Sequence, residues 1–269
     1  MSITRNGLQT VEQHLAAFEN DYWWFVGRRK IIITLLEEYL KYSDRTNLKI
    51  LDIGCGTGGT TKALTKFGDV CGSDYSLTAL KHARENGLDK LMNCSASNLP
   101  LRPETFDTIT ILDVLEYIKD DVRVLKEIRS CLKKDGIIFI SVPAFQSLWS
   151  NHDVAVGHLR RYNTKSLIKV IREAGLQDLR TSYFISFLFP FLSIYRIITR
   201  RLKIEKRNHP KIDLVHLPIF IDKTLQQILL LESKILRKRN LSFGLSLFCI
   251  VRINHNATAT GMDNTSDNI

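Results

Sequence analysis

Apolar and polar positions alternate along the chain in blocks of two kinds. Short apolar runs at 48–53, 70–74, 91–96, 106–113, 137–142, 177–184 and 245–252 are rich in β-branched residues, as strands buried on both faces are. Between them, segments 30–42, 60–67, 76–86, 121–132 and 164–174 space their apolar residues for helices. Val122, Leu125, Ile128 and Leu132 set the pattern. Ser76 stands where an N-cap is expected, and Lys133-Lys134-Asp135-Gly136 where the helix from 121 should end. This alternation predicts an α/β fold with a doubly wound sheet of seven strands.

The first strand runs into the densest feature of the sequence, Asp52-Ile53-Gly54-Cys55-Gly56-Thr57-Gly58-Gly59. Glycines here allow a tight turn and a close backbone approach to a ligand, and the following helix points free N–H groups back at it. Two readings fit. Gly54, Gly56 and Gly59 satisfy the dinucleotide pattern G-x-G-x-x-G, with Asp74 about 20 residues on for a ribose hydroxyl. Asp52, Gly54, Gly56 and Gly58 satisfy D-x-G-x-G-x-G.

The run from Leu51 to Gly58 resembles the first motif of the class I S-adenosylmethionine-dependent methyltransferases. Downstream, Phe106-Asp107 at a strand start, Leu115-Glu116 beyond its end, and Leu132-Lys133-Lys134-Asp135-Gly136 before a strand ending at Pro143 match that family in order. Dehydrogenases have no reason to show them. The resemblance implies a Rossmann-like seven-stranded sheet and S-adenosyl-L-methionine as cofactor. It implies that Asp52 organises the loop at the methionine end, with Gly54, Gly56 and Gly58 in contact. Asp74 would hold the ribose hydroxyls, and Ser95, Ala96 and Asp113 the remaining strand-end contacts. Ser95 stands where the family often has an acid for the adenine amino group, and Tyr117 where many relatives have His.

Two further stretches carry candidate chemistry. Tyr22-Trp23-Trp24-Phe25 precedes Arg28 and Arg29. These aromatics either cover the sheet as core or form a lid, with Arg28 or Arg29 on the methionine carboxylate. After the fifth strand comes His152-Asp153-x(4)-His158-x-Arg160-Arg161-Tyr162, beyond the carboxyl ends of the strands, where open α/β sheets bind ligands. His152 and His158 are candidate bases with Asp153 as orienting partner. Arg160, Arg161 and Tyr162 are candidate acceptor contacts. The histidines lack the i, i+4 spacing of a helix-built metal site, so no metal is expected.

Charge changes the picture at the C-terminal end. Of the net +10, residues 181–269 carry +7, thirteen Lys and Arg against six Asp and Glu. The uncharged run 183–195 is too short for a bilayer span of roughly 20 residues. Some sixty apolar, basic residues stand where the family has a short hairpin. Five cysteines without C-x-x-C spacing and no basic-then-apolar leader predict a cytoplasmic protein.

The expected organisation is an N-terminal helical lid (1–45), a core (46–184), a hydrophobic, basic helical insertion (185–241), the last strand (242–254) and a polar tail (255–269). The insertion either packs as a cap or meets a membrane peripherally through 184–211. The expected function is O-methylation of a small-molecule or lipid- or isoprenoid-linked acceptor. The alternatives are a nucleic-acid methyltransferase, against which the interleaved apolar residues speak, and a catalytically silent membrane-associated scaffold.

Overall fold

The computed structural model describes residues 18–19, 21–40, 47–201 and 217–255. Residues 1–17 of the expected lid, the basic stretch 202–216 and the tail from 256 lie outside these residues. The strands are β1 (Leu48–Ile53), β2 (Gly68–Asp74), β3 (Leu91–Asn93), β4 (Phe106–Leu112), β5 (Leu132–Pro143), β6 (Leu176–Phe184) and β7 (Ser246–Ile253). They form one sheet in the order β3-β2-β1-β4-β5-β7-β6. β1 to β5 run parallel, and β7 runs antiparallel to both its neighbours. β1 lies between β2 and β4, so the chain changes winding direction there and leaves a crevice at the carboxyl ends of β1 and β4.

Helices α1 (Trp23–Leu40), α2 (Gly59–Leu64), α3 (Leu77–Glu85), α4 (Asp121–Cys131), α5 (Asn151–Val156), α6 (Thr164–Glu173), α7 (Phe189–Arg201) and α8 (Ile219–Lys238) flank the sheet. Period-two alternation assigns each strand residue to a face. Ile138 and Ile140 join the core under α4 and α6, with Ile128 and Leu167. Ile137 and Phe139 join the opposite core under α1 and α8, with Leu35 and Leu236.

Two local expectations are modified by tertiary contacts. α1 begins at Trp23 rather than near 30, because the Asp222 carboxylate of α8 accepts the Trp23 N–H at 2.9 Å. The helix from Asp121 ends at Cys131, within a residue of the expected stop, but Lys133 to Gly136 then extend β5. Its register with β4 jumps from Phe106↔Leu132 to Thr108↔Ile137, while Lys133 Nζ reaches the Asp107 carboxylate at 2.9 Å. Pro190 falls in the first turn of α7, where its missing N–H removes no helical bond, and so it starts a helix rather than kinking one.

The segment between β6 and β7 divides into two parts. α8 packs on α1 so closely that a Cβ on Gly27 would overlap the Leu229 side chain. Its Glu232 is buried and accepts the backbone N–H groups of Ser186 (2.8 Å) and Phe187 (3.1 Å). It thereby holds the turn in which the β-branched Ile185 takes φ +60°. Glu232→Ala is expected to destabilise the protein by about 1–3 kcal/mol for each buried N–H left without an acceptor. Glu232→Gln, which keeps one acceptor oxygen, should cost less. Urea unfolding of both variants checks the order.

α7 buries far less. Phe191, Ile194, Tyr195 and Ile198, at helical spacing, are 74, 57, 60 and 47 % exposed. Ile219 and Phe220 at the start of α8 are 77 and 69 % exposed. Among the described residues no helix is long and apolar enough to cross a membrane.

Candidate active site

The glycine loop turns at the end of β1 through three left-handed residues, Gly54 (φ 72°), Gly56 (φ 56°) and Gly58 (φ 90°). Gly54 and Cys55 donate N–H bonds to Ser73 O at 2.8 and 3.0 Å, tying the turn to β2. Asp52 lies beneath the loop, fully buried. Its oxygens accept the Thr61 and Thr110 hydroxyls, both at 2.6 Å. Burial pushes the Asp52 carboxyl up, against the lowering effect of those two hydroxyls. Asp52 is thus spent on holding α2 and β4 to the loop. Asp74 accepts the Gly56 and Ser76 N–H groups, each at 2.8 Å, and so braces the loop from β2.

Above the loop lies a cavity of about 580 Å³. Gly54 and Gly56 of the loop, Trp24 and Arg28 of α1, and His152 and His158 all line it. The aromatics of 22–25 divide between core and cavity. Tyr22 and Trp23 are buried in the core, yet with Trp24 and Phe25 they line the cavity. Arg28 pairs with Asp113 at 2.9 Å and donates to Ser141 Oγ at 3.1 Å, while Ser141 donates to Asp113 at 2.9 Å. Asp113 sits at φ +56° just past β4. Arg28 Nε is buried without a hydrogen-bond partner among the described residues.

The polar stretch after β5 folds back as the short helix α5. Ser150 and Asp153 form a capping box, with Ser150 N–H on Asp153 Oδ2 at 2.8 Å. Gly157, at φ 86°, ends the helix and returns the chain so that His158 meets Asp153. His158 Nδ1 lies 2.8 Å from Asp153 Oδ1. Arg161 reaches the same carboxylate through Nε (2.8 Å) and Nη2 (3.0 Å). Burial alone would raise Asp153, but the His158 hydrogen bond and the Arg161 charge outweigh it and hold the carboxyl well below its usual range. Ionised Asp153 requires a proton on His158 Nδ1, so neutral His158 presents Nε2 as an acceptor. That nitrogen lies 3.2 Å from the Tyr117 hydroxyl.

His152 also lines the cavity, its ring edge-on to His158 at 6.3 Å. Burial, with Arg196 adding to it, pushes His152 down to about 4 from an ordinary 6.5. The folded state thus refuses a proton that the unfolded chain accepts between those values. Stability is expected to fall as pH drops from about 6.5 towards 4. His152→Gln should flatten that dependence in urea midpoints measured at pH 7 and pH 5.

The remaining candidates lie elsewhere. Asp74, Ser95 and Ala96 are not among the cavity-lining residues. Ser95 Oγ accepts the Ser97 N–H at 3.2 Å. Arg160 pairs with Asp121 at 3.1 Å, and the buried Tyr162 donates its hydroxyl to the same carboxylate at 2.8 Å. Both hold the loop to α4 rather than face the cavity. Sequence reasoning did not single out Glu19 or Glu116 as site residues, though both line the cavity. Glu116 is fully buried, with neither carboxyl oxygen hydrogen-bonded among the described residues. Burial, and then the charge of Asp113, raises it well above the usual carboxyl range. Its place in the Leu115-Glu116 motif was the available signal. Glu19 carried no such mark.

A family model described as a methyltransferase domain matches residues 51–140. The chain is 34 % identical over 108 residues to the ubiquinone biosynthesis O-methyltransferase of Actinobacillus pleuropneumoniae, covering 35 % of this chain and 44 % of that protein. With the protein of the same name from Histophilus somni it shares 32 % over 148 residues, 48 % of this chain and 62 % of that one. It therefore spans less than half of the first relative's length and about three fifths of the second's.

Among solved structures, a methyltransferase from Haloferax volcanii in complex with its activator superposes with a TM-score of 0.58 at 16 % identity, covering 94 % of this chain and 98 % of that one. The cyclase SpnF gives 0.59 at 18 %, covering 92 and 93 %. These two share the fold alone, and since one is a cyclase the fold does not carry the reaction. Residues 51–140 thus match a methyltransferase domain, and the strand order with its reversed last strand is that of the class I methyltransferase fold.

Proposed function

We propose that this chain transfers a methyl group from S-adenosylmethionine to an oxygen of a small, lipid- or isoprenoid-linked acceptor, with His158 as general base. The observation that carries this reading is one cavity joining the glycine loop to His158, whose Nδ1 is held by Asp153. The loop fits the cofactor. A Cβ on Gly56 would meet nothing within 4 Å, so the loop's apex is open, while the Asp74 carboxylate braces it from below. Gly54 and Gly56 would hold the methionine end; the family resemblance assigns Gly58 to the same end, Asp74 to the ribose, and Ser95 and Ala96 to the adenine, though these four do not line the cavity. Bound there, the cofactor supplies a methyl group on a sulfonium, already activated towards an oxygen nucleophile.

The chain's own residues then orient the acceptor, exclude water and receive a proton. Tyr22, Trp24 and Phe25 line the cavity together with the loop and would keep water from it. His158 Nε2 takes the acceptor's hydroxyl proton as Tyr117, 3.2 Å away, gives up its place there. Tyr117→Phe, which frees that nitrogen, is expected to leave turnover near wild type in an initial-rate assay. A large loss would make the tyrosine hydroxyl itself part of proton transfer.

The named ubiquinone-pathway relatives favour an acceptor with a lipid tail, and the exposed apolar stripe of α7 fits a membrane surface. Seven Lys and Arg against one Glu between Arg196 and Lys211 add attraction to anionic headgroups, about 1 kcal/mol for each one near the surface. Full-length protein is expected to float with anionic liposomes, and to stop floating when Phe187, Phe191 and Ile194 become Ser. Unchanged flotation of that variant would remove α7 from the membrane contact.

Calorimetry tests the cofactor. S-adenosylhomocysteine should bind and NADH should not, and Asp74→Ala should weaken binding. Preference for NADH would return the loop to the dinucleotide reading.

A further inference from the structure

We infer that Glu19 and Arg29 together clamp the amino-acid end of the cofactor, Glu19 taking its ammonium and Arg29 its carboxylate. The inference rests on the S-adenosylmethionine reading above and assigns a subsite within it. Glu19, just before α1, reaches across to the glycine loop. Its Oε1 accepts the Gly59 N–H at 3.0 Å and its Oε2 accepts the Thr57 hydroxyl. Arg29 Nη2 donates to the Glu19 main-chain oxygen at 3.3 Å, and both side chains line the cavity beside Gly54 and Gly56.

The loop is built around this approach. A Cβ on Gly59 would overlap Arg29 Nη1 and lie 2.7 Å from the Glu19 carboxyl carbon. The ends of two charged side chains from outside the loop thus come down onto Gly59. An acid and a base held side by side over a loop match the adjacent opposite charges of an α-amino acid.

Of the groups that the sequence offered for this end, Asp52 and Arg28 are engaged elsewhere, which leaves Arg29. Asp52 is fully buried, with each oxygen held by a threonine hydroxyl. Arg28 is paired with Asp113 and Ser141. Glu19, by contrast, uses two of the roughly four acceptor positions of its carboxylate. Burial raises its pKa despite the Gly59 N–H and Arg29. An incoming ammonium would supply the positive charge that such a half-buried carboxylate lacks, in a site where charge-assisted hydrogen bonds are strong.

The test titrates the full chain by calorimetry with two ligands. S-adenosylhomocysteine carries the amino-acid end; 5′-methylthioadenosine keeps the nucleoside and the thioether sulfur but lacks it. Glu19→Gln and Arg29→Gln are each expected to weaken S-adenosylhomocysteine by about tenfold or more, as loss of a charged hydrogen bond does. Binding of 5′-methylthioadenosine should be unchanged, which also shows that each variant is folded. Tighter S-adenosylhomocysteine binding by Glu19→Gln would overturn the inference, since the carboxylate would then be a plug standing where the ligand's own carboxylate goes. Equal weakening of both ligands would also overturn it, leaving Glu19 as a brace for the loop. If the wild-type chain binds neither ligand, the cofactor reading itself fails and the clamp with it. Binding of 5′-methylthioadenosine alone removes only the clamp.

Discussion

His158→Ala is expected to lower turnover by about 10²–10⁴-fold, the usual contribution of a positioned general base. S-adenosylhomocysteine affinity should stay near wild type. The split follows from geometry. The contacts of His158 are Asp153, Tyr117, Glu116 and His152, none of them part of the glycine loop. His152→Ala should cost much less. Burial and Arg196 hold His152 near 4, which makes it a weak base at neutral pH. Initial rates together with binding isotherms for the two single variants separate the roles. A larger loss from His152→Ala would exchange them, and near-normal rates from both would leave catalysis to orientation alone.

Asp153→Ala is expected to have the largest effect on the fold, about 3–5 kcal/mol of destabilisation, because it strands the buried guanidinium of Arg161. It also removes the acceptor for the Ser150 N–H and the partner of His158 Nδ1. The ion pair as such is not the source of that figure. Replacing both residues, Asp153→Ala with Arg161→Met, should recover a substantial part of the stability, since no buried charge is then left alone. Turnover should not recover, because His158 still lacks its orienting carboxylate. Paired urea unfolding and rate measurements distinguish the structural from the positioning role. Asp153 sits below its ordinary 3.8, so its contribution to stability is present above about pH 4 and lost in more acidic solution.

The strands were legible because a sheet buried on both faces leaves a local record, short apolar runs closed by turns. The helix starts were less so. Nothing near Trp23 shows that α1 begins there, since the group that caps it, Asp222, lies almost two hundred residues away. Lys133 to Gly136 carries a good helix-stop signal. Yet Asp107 on the neighbouring strand draws Lys133 into the sheet.

The site divides in the same way. Asp52, Asp74, Asp153 and His158 stood out through spacing, and each makes defined contacts at or beside the cavity. What spacing could not show was which groups were already engaged. Arg28 and Arg29 are adjacent in sequence, but only Arg28 meets Asp113. Arg160 and Arg161 likewise read as a pair. Arg160 is tied to Asp121 and Arg161 to Asp153. Glu116 was visible as part of a motif, whereas its burial with no side-chain hydrogen bond among the described residues is seen only in the folded chain.

The most direct test of the central claim is transfer itself. Full-length protein is incubated with methyl-labelled S-adenosylmethionine and either a total lipid extract or a polar extract, and the label is followed into each fraction. The account predicts label in an organic-soluble product with wild-type protein, reduced by about 10²–10⁴-fold with His158→Ala. Protein that binds S-adenosylhomocysteine but transfers no label to either extract would contradict it, as would equal transfer by the His158→Ala variant.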